Sequence, residues 1–414
     1  MLKLKRFVLV CFVVSLQWAN LQRTNYKTYE DLIEITLQEA RKRLFLQYSN
    51  SSVRKQREFP ESFSFPCQNA ARFGRSPTRP TSVHKLRPGD IDVVAAMGDS
   101  LVAGNGAMED FALGNMIESR GVSWCIGGDG TWRQFVTLPN ILKEFNPNLT
   151  GYSTGIGEFT APNSGLNIGF PVAADADALK QAHILVDRIR KNHKIDINND
   201  WKMITVFFGA NDLCSAQCFD AQKGSPYNHA VKLSKALDYL QRHLPRTFVN
   251  LIPVIDVTVS VRLKRSLMCR LMHSLYCTCY RKTKGDPVDE LSEMTRKYQQ
   301  AEEILISSGR YDQKEDFTVI IQPFIKYFNT PRNHILRQRE AIDISYITYD
   351  CFHFSQKGHA LGANMLWNNL LQPVGRKSTA MIDGLMRDFL CPLEKAPYFF
   401  TYKNSKTYFE TGHQ

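Results

Sequence analysis

Three short stretches of this chain carry residue types that covalent chemistry needs. Ser100 stands in Gly98-Asp99-Ser100-Leu101, Asn211 in Gly209-Ala210-Asn211-Asp212, and Asp350 and His353 in Asp350-Cys351-Phe352-His353. A serine hydroxyl is a poor nucleophile until a base removes its proton, so a histidine must come within hydrogen-bonding reach. The second ring nitrogen of that histidine must in turn be held by a carboxylate, which fixes the tautomer and stabilises the imidazolium. One turn of chain brings Asp350 to His353, so a single loop can deliver both base and orienter to Ser100. Acyl transfer also needs donors where charge develops on the carbonyl oxygen, each worth about 3 kcal/mol. The Ser100 backbone N–H and the Asn211 side-chain amide are the candidates. Each stretch alone has a blander use, since Ser and Asp-x-x-His cap helices and Asn-Asp forms turns. The ordered set, with every member at a strand-to-helix junction, points to a serine hydrolase.

The elements that must position these residues are legible in the apolar pattern. Residues 91–98 are mostly apolar and partly β-branched, and read as a buried strand ending at Gly98. Residues 203–208, 247–255 and 317–322 read as three more strands. Residues 174–191 form an amphipathic helix, with Leu179, Ala182, Leu185, Val186 and Ile189 at spacings of three and four. Residues 227–244, 291–307 and 355–371 complete the helices. Strands separated by helix-length connections pair in parallel through right-handed crossovers. The expected fold is therefore α/β, a three-layer α/β/α sandwich around a mostly parallel sheet. In such sheets ligands bind beyond the carboxyl ends of the strands, where Ser100 and Asn211 fall. The Gly-rich residues 121–169 read as a long loop, whose Trp124 and Trp132 either line a groove or pack beneath it.

At 414 residues, 43% hydrophobic and 22% charged, the chain can bury a sizeable core. Its net charge of +12 is dispersed, without a basic stripe interleaved with aromatics, which sets nucleic acid aside. An anionic membrane surface or acidic glycan suits such a charge better than nucleic acid, with Arg262, Lys264, Arg265 and Arg270 as a candidate cluster, while a solvated basic surface is the plainer reading of both. A basic start followed by the apolar residues 7–16 reads as a secretory signal peptide over 1–20. That run is short for a membrane span, and no later stretch is long and apolar enough, so no transmembrane anchor is expected after signal removal. An N-terminal extension follows over 21–85, with helical periodicity at 29–46, then a catalytic domain over 86–375 and a tail over 376–414. The expected location is secreted, and two glycosylation sequons begin at Asn50 and Asn148. Nine of ten cysteines remain once Cys11 leaves with the signal, so at least one is unpaired within the chain. Cys214 and Cys218 are spaced for a local loop disulfide, while Cys277 and Cys279 must reach other partners. No two Cys-x-x-Cys motifs stand at ligand spacing, so no metal site is expected.

Gly98-Asp99-Ser100-Leu101, Gly209-Ala210-Asn211-Asp212 and Asp350-Cys351-Phe352-His353-Phe354-Ser355 resemble the sequence blocks of the GDSL, or SGNH, hydrolases. The chain is most similar to the animal phospholipase B branch, through residues 81–91, 124–130, 137–142 and 366–375. The resemblance implies a flavodoxin-like SGNH fold and hydrolysis of phospholipid and other fatty acyl esters, lysophospholipids included, at a membrane surface, without metal or cofactor. It implies Ser100 as nucleophile, His353 as base and Asn211 as an oxyanion donor beside the Ser100 N–H. Asp350 is favoured as the orienting acid by its local spacing, with Asp212 as the alternative. The family has a glycine five residues after an asparagine whose N–H completes the oxyanion hole. Here, after Asn167, that position is Val172, which keeps the N–H but resists a positive φ and crowds the acyl chain. Two other outcomes stay open, a carboxylesterase of smaller soluble esters and an inactive lipid-binding relative.

Overall fold

The apolar run before Ser100 forms strand β1 (Ile91–Gly98), buried at every residue but Asp92. In this computed structural model the described residues are 51–412, apart from 69, 263–275, 334–335 and 337–342. The expected signal peptide, the helix over 29–46, and Cys269, Lys264, Arg265 and Arg270 lie outside them. Strands β2 (Trp201–Phe207), β3 (Thr247–Leu251) and β4 (Phe317–Ile321) follow. All pair in parallel, in the order β1-β2-β3-β4. The other edge of β1 is covered by the Gly-rich stretch, through bridges Val93↔Thr150 and Ala96↔Asn167. The chain thus leaves β1 toward one edge and returns on its other side as β2. That reversal is the crevice where open α/β sheets bind ligands.

Six helices matter for the site: α1 (Ser100–Ala103), α2 (Ala178–Lys191), α3 (Ala210–Ser215), α4 (Pro226–His243), α5 (Pro287–Ser307) and α6 (Gln356–Leu370). One sheet face packs on α2 and α4, where Leu185, Val186, Leu233 and Leu237 meet Met97, Ile204 and Val249. The other face packs with α6 and the long loop, through Leu366, Trp367, Trp124 and Phe248. The result is the three-layer sandwich. Helix α2 starts four residues later than its periodicity suggested, because Asp175–Asp177 makes a 3-10 turn first. Helix α5 starts earlier, since Asp286 accepts the N–H groups of Val288 and Asp289 and Pro287 takes the first helical position.

Ser52–Gln414 form one compact unit. Phe59, Phe63 and Phe65 of the extension surround Trp132, which therefore serves as packing. Cys67 bonds Cys391 and joins the extension to the tail. The local Cys214–Cys218 pairing does not form; Cys214 bonds Cys277 and Cys218 bonds Cys279. Cys214 lies in α3 and Cys218 past its end, and both stand beside the segment that carries Cys277 and Cys279. Both thiols thus reach the same second segment. Cys351 is disulfide-bonded as well, and Cys125 is buried and free, its thiol pushed up by burial. No described helix is long and apolar enough to cross a membrane.

Candidate active site

The turn after β1 assigns two roles that one serine could have filled. Asp99 caps α1, its carboxylate accepting the Leu101 N–H at 2.8 Å. Ser100 is left as the first helical residue, with its hydroxyl 2.8 Å from His353 Nε2. Its own N–H has no intrahelical acceptor at that position, so it is available as a donor.

The loop that carries His353 is folded around Asp350. Thr348 N–H donates to His353 O at 2.8 Å, Cys351 N–H donates to Thr348 O at 3.0 Å, and Cys351 takes φ 65°. Asp350 Oδ1 accepts the Thr348 hydroxyl at 2.5 Å, the Phe352 N–H at 2.9 Å and the His353 N–H at 3.1 Å. Its Oδ2 stands 2.5 Å from His353 Nδ1. Burial alone would raise this carboxyl, but the charge of His353 and these hydrogen bonds outweigh it and hold it at about 2. An ionised Asp350 keeps the proton on Nδ1 and turns the Nε2 lone pair toward Ser100.

Asn211 is the second residue of α3 and donates from Nδ2 to Ala173 O at 2.9 Å; the same nitrogen lies 3.5 Å from Asp99 Oδ2. One amide N–H is thus anchored while the other is turned toward the Asp99–Ser100 corner. Asn211→Ala is expected to lower kcat by about 10²–10³ with KM little changed, the loss typical of one oxyanion donor. Ester kinetics on protein shown to be folded by circular dichroism check this, and a loss below about tenfold would remove Asn211 from the site. Asp212, the alternative acid, turns away from His353, and its Oδ2 accepts the Asp175 N–H at 2.9 Å. The structure brings Asp350 to the histidine instead. Burial, then the charge of Asp175, pushes the Asp212 carboxyl up to about 7.

Val172 takes φ 64°, and its side chain is 77% exposed. The expected resistance to positive φ is overridden by the loop, at a cost of about 1–2 kcal/mol. Phe170 N–H donates to Gly98 O, Ala173 N–H donates to Phe170 O, and Ala173 O receives the Asn211 amide. These three bonds hold the turn that a glycine would adopt freely. The Val172 side chain stands in solvent.

Asp99 gives the site a testable pH signature. It is fully buried, and burial pushes its carboxyl up to about 6, the Leu101 N–H and the charge of His353 offsetting only part. A folded-state value above the ordinary 3.8 means that the proton favours the folded form. The contribution is complete below the unfolded value and is lost as pH rises through the folded one. Asp99→Asn keeps a capping oxygen without the charge. It is expected to be more stable than wild type by about 3 kcal/mol near about pH 8, and no more stable near about pH 4, in urea unfolding. A gain of equal size at both pH values would contradict this origin.

Sequence reading missed Tyr276, whose ring stands edge-on to His353 at 6.3 Å between centroids and whose hydroxyl bonds Asn115. Ser215 donates to Tyr276 O at 2.8 Å, and the two disulfides from Cys214 and Cys218 fix the same segment to α3 and the turn after it. The only sequence signal was the neighbouring Cys277 and Cys279. His359 is buried and accepts the Trp124 N–H on Nδ1 at 3.2 Å, its ring held down at about 3 by burial and then by His353. His84 pairs with the Thr401 hydroxyl at 2.8 Å. Among the described residues no cluster of His, Cys, Asp and Glu could hold a metal ion.

Residues 94–366 match the GDSL-like lipase/acylhydrolase family. The chain is 41% identical over 337 residues to phospholipase B1, membrane-associated, of Homo sapiens, covering 80% of this chain and 23% of that protein. To the protein of the same name in Mus musculus it is 38% identical over 378 residues, covering 86% and 25%. It thus spans about a quarter of the length of the curated relatives it matches. Among solved structures it is similar to phospholipase A1 from Streptomyces albidoflavus NA297, at 12% identity and TM-score 0.30 over 70% of this chain and 100% of that one.

Proposed function

This chain belongs to the GDSL-like lipase/acylhydrolase family, and we propose that it is a serine esterase releasing fatty acids from phospholipids and lysophospholipids through an acyl-enzyme. The observation that carries the reading is the continuous line Ser100 Oγ, His353 Nε2, His353 Nδ1, Asp350 Oδ2, with contacts of 2.8 Å and 2.5 Å. His353 takes the Ser100 proton as Oγ attacks the ester carbonyl. The oxyanion is met by the Ser100 N–H and the Asn211 amide. Collapse expels the alcohol oxygen, which takes the proton from His353 and leaves the acyl group on Ser100. A water then attacks the acyl carbonyl, giving its proton to His353. As the fatty acid leaves, that proton returns to Ser100 Oγ, so the cycle closes.

Lipid rather than small-ester specificity is supported by the surroundings. Exposed Leu113 and Met116 flank Asn115, the partner of Tyr276, and give the site an apolar rim suited to a lipid surface. The relatives named phospholipase B1 point the same way. Three disulfides between described residues, with Cys351 bonded as well, support an oxidising compartment, and hence secretion or a secretory lumen. The left-handed backbone of Val172 weakens the main motive for an inactive relative.

Fatty acid release from phosphatidylcholine vesicles and lysophosphatidylcholine micelles is expected to exceed hydrolysis of p-nitrophenyl butyrate, with a fluorophosphonate labelling Ser100. Turnover of the short ester alone would make the protein a small-ester carboxylesterase. No turnover of any of the three, with Ser100 unlabelled, would end the enzymatic reading.

A further inference from the structure

Beneath the oxyanion side of the site lies a buried set of charges that the acyl chemistry does not use. His229, on α4, is fully buried, with Nδ1 3.1 Å from Asp175 Oδ2 and Nε2 3.1 Å from Glu302 Oε1. A carboxyl faces each ring nitrogen, and although burial pushes Glu302 up, Asp175 is held below the ordinary carboxylate range; with both ionised, each nitrogen carries a proton and the ring is an imidazolium. Lys232 Nζ donates to Asp175 Oδ1 at 2.6 Å, so two cations face two carboxylates and the set is balanced. The Tyr298 ring packs 4.6 Å from the imidazole, and burial keeps its phenol neutral.

Each contact of this ring leads to the residues around Asn211. A Cβ on Gly209, the residue before α3, would stand 2.7 Å from Val254 Cγ2 and 3.3 Å from His229 Cε1. The histidine and Val254 thus form the floor under the start of α3, and Gly209 takes φ 117° above them. Glu302 Oε2 accepts the Val254 N–H at 3.1 Å and fixes that floor. Asp175 N–H binds Asp212 Oδ2 at 2.9 Å, one residue after Asn211. Two residues before Asp175, Ala173 O receives the Asn211 amide at 2.9 Å. Helix α3 spans only Ala210–Ser215, too short for its own hydrogen bonds to hold it rigid. An oxyanion donor, however, must be placed to within about 0.5 Å.

We propose that His229, bonded between Asp175 and Glu302 beneath Gly209, is a positioning residue that aims the Asn211 amide at the oxyanion. The inference rests on the reading of Asn211 as an oxyanion donor. Burial would lower the His229 value, but Asp175 and Glu302 outweigh it and raise the ring to about 9. The groups that set this are Asp175 on its 3-10 turn, Lys232 on α4, Tyr298 and Glu302 on α5, and Asp212 on α3 behind Asp175. Loss of the proton leaves one N–H for two carboxylates, so one anchor of α3 is released.

The test is the paired variant His229→Gln/Glu302→Gln, which removes one cation and one anion together at similar volume. It is expected to fold, to lose about 10- to 100-fold in kcat per fluorophosphonate-titrated site, and to keep KM within about twofold. In wild type kcat is expected to fall as pH rises through about 9, and the paired variant to lack that limb. An unchanged kcat per labelled site in the folded variant, or a limb that persists in it, overturns the proposal. Should the pair fail to fold, Asp175→Asn is read in the same way, and a wild-type kcat flat through that pH range overturns the proposal without any variant. Asn211→Ala separates the two levels. If it leaves kcat intact, the oxyanion reading itself fails; if it costs activity while the paired variant does not, only the role of His229 fails.

Discussion

Ser100→Ala and His353→Ala are each expected to lower kcat for ester hydrolysis by about a millionfold, and the double variant by no more than either alone. The reason is the single hydrogen bond of 2.8 Å between Ser100 Oγ and His353 Nε2. One proton moves along it at each step, so removing either end leaves the other with no task. Independent contributions would multiply instead. The rate that survives comes from binding and the oxyanion donors, about 10³–10⁴ over water. Fluorophosphonate labelling follows the same logic, since Ser100 is expected to react at an appreciable rate only with His353 in place. Both side chains are buried, so the variants are compared by thermal melt before their kinetics are read. A double variant much slower than either single one, or a Ser100→Ala protein keeping even about a hundredth of wild-type activity, would mean that Ser100 is not the nucleophile.

What could be read in the sequence is what depends on local order. Ser100 and Asn211 each stand where a strand's apolar run stops and helical spacing begins, so position along the chain already implied the carboxyl end of the sheet; the Asp350–His353 pair, expected at such a junction too, instead sits in a loop before α6, far past the end of β4 at Ile321. Asp350 could be favoured over Asp212 because three residues fold back on themselves without help from the rest of the protein. The cysteine bonds could not be read this way. Cys214 and Cys218 are close in sequence, but only tertiary packing shows them Cys277 and Cys279. Residues 150–168 hid their place beside β1 because isolated bridges leave no periodicity. Local preference was overruled at Val172, whose loop is fixed by bonds to Gly98 and Asn211 from elsewhere in the chain. His229, Asp175 and Glu302 come from separate elements with no spacing in common, and each alone reads as an ordinary surface residue.

Asp350→Asn is expected to lower kcat by about 10⁴, while Asp212→Asn costs at least about a hundredfold less. The size of the first effect follows from which oxygen does what. Asp350 Oδ1 already accepts from the Thr348 hydroxyl and from the Phe352 and His353 N–H groups. In the asparagine variant those three donors hold the amide oxygen at that end, so the NH2 group must face His353 Nδ1. A donor there makes Nδ1 the acceptor and moves the ring proton to Nε2, toward Ser100. The histidine then cannot take the serine proton, although every heavy atom stays in place. Substrate binding is untouched, so KM is expected to hold. At position 212 an asparagine still offers an oxygen to the Asp175 N–H, and the carboxyl it replaces is already held up to about 7, close to neutral. Its loss disturbs the support of α3 without changing the histidine tautomer. Steady-state ester hydrolysis by the two variants, each shown folded by circular dichroism, decides between the carboxylates. Equal losses at the two positions would mean that His353 is oriented by something other than the 2.5 Å contact with Asp350.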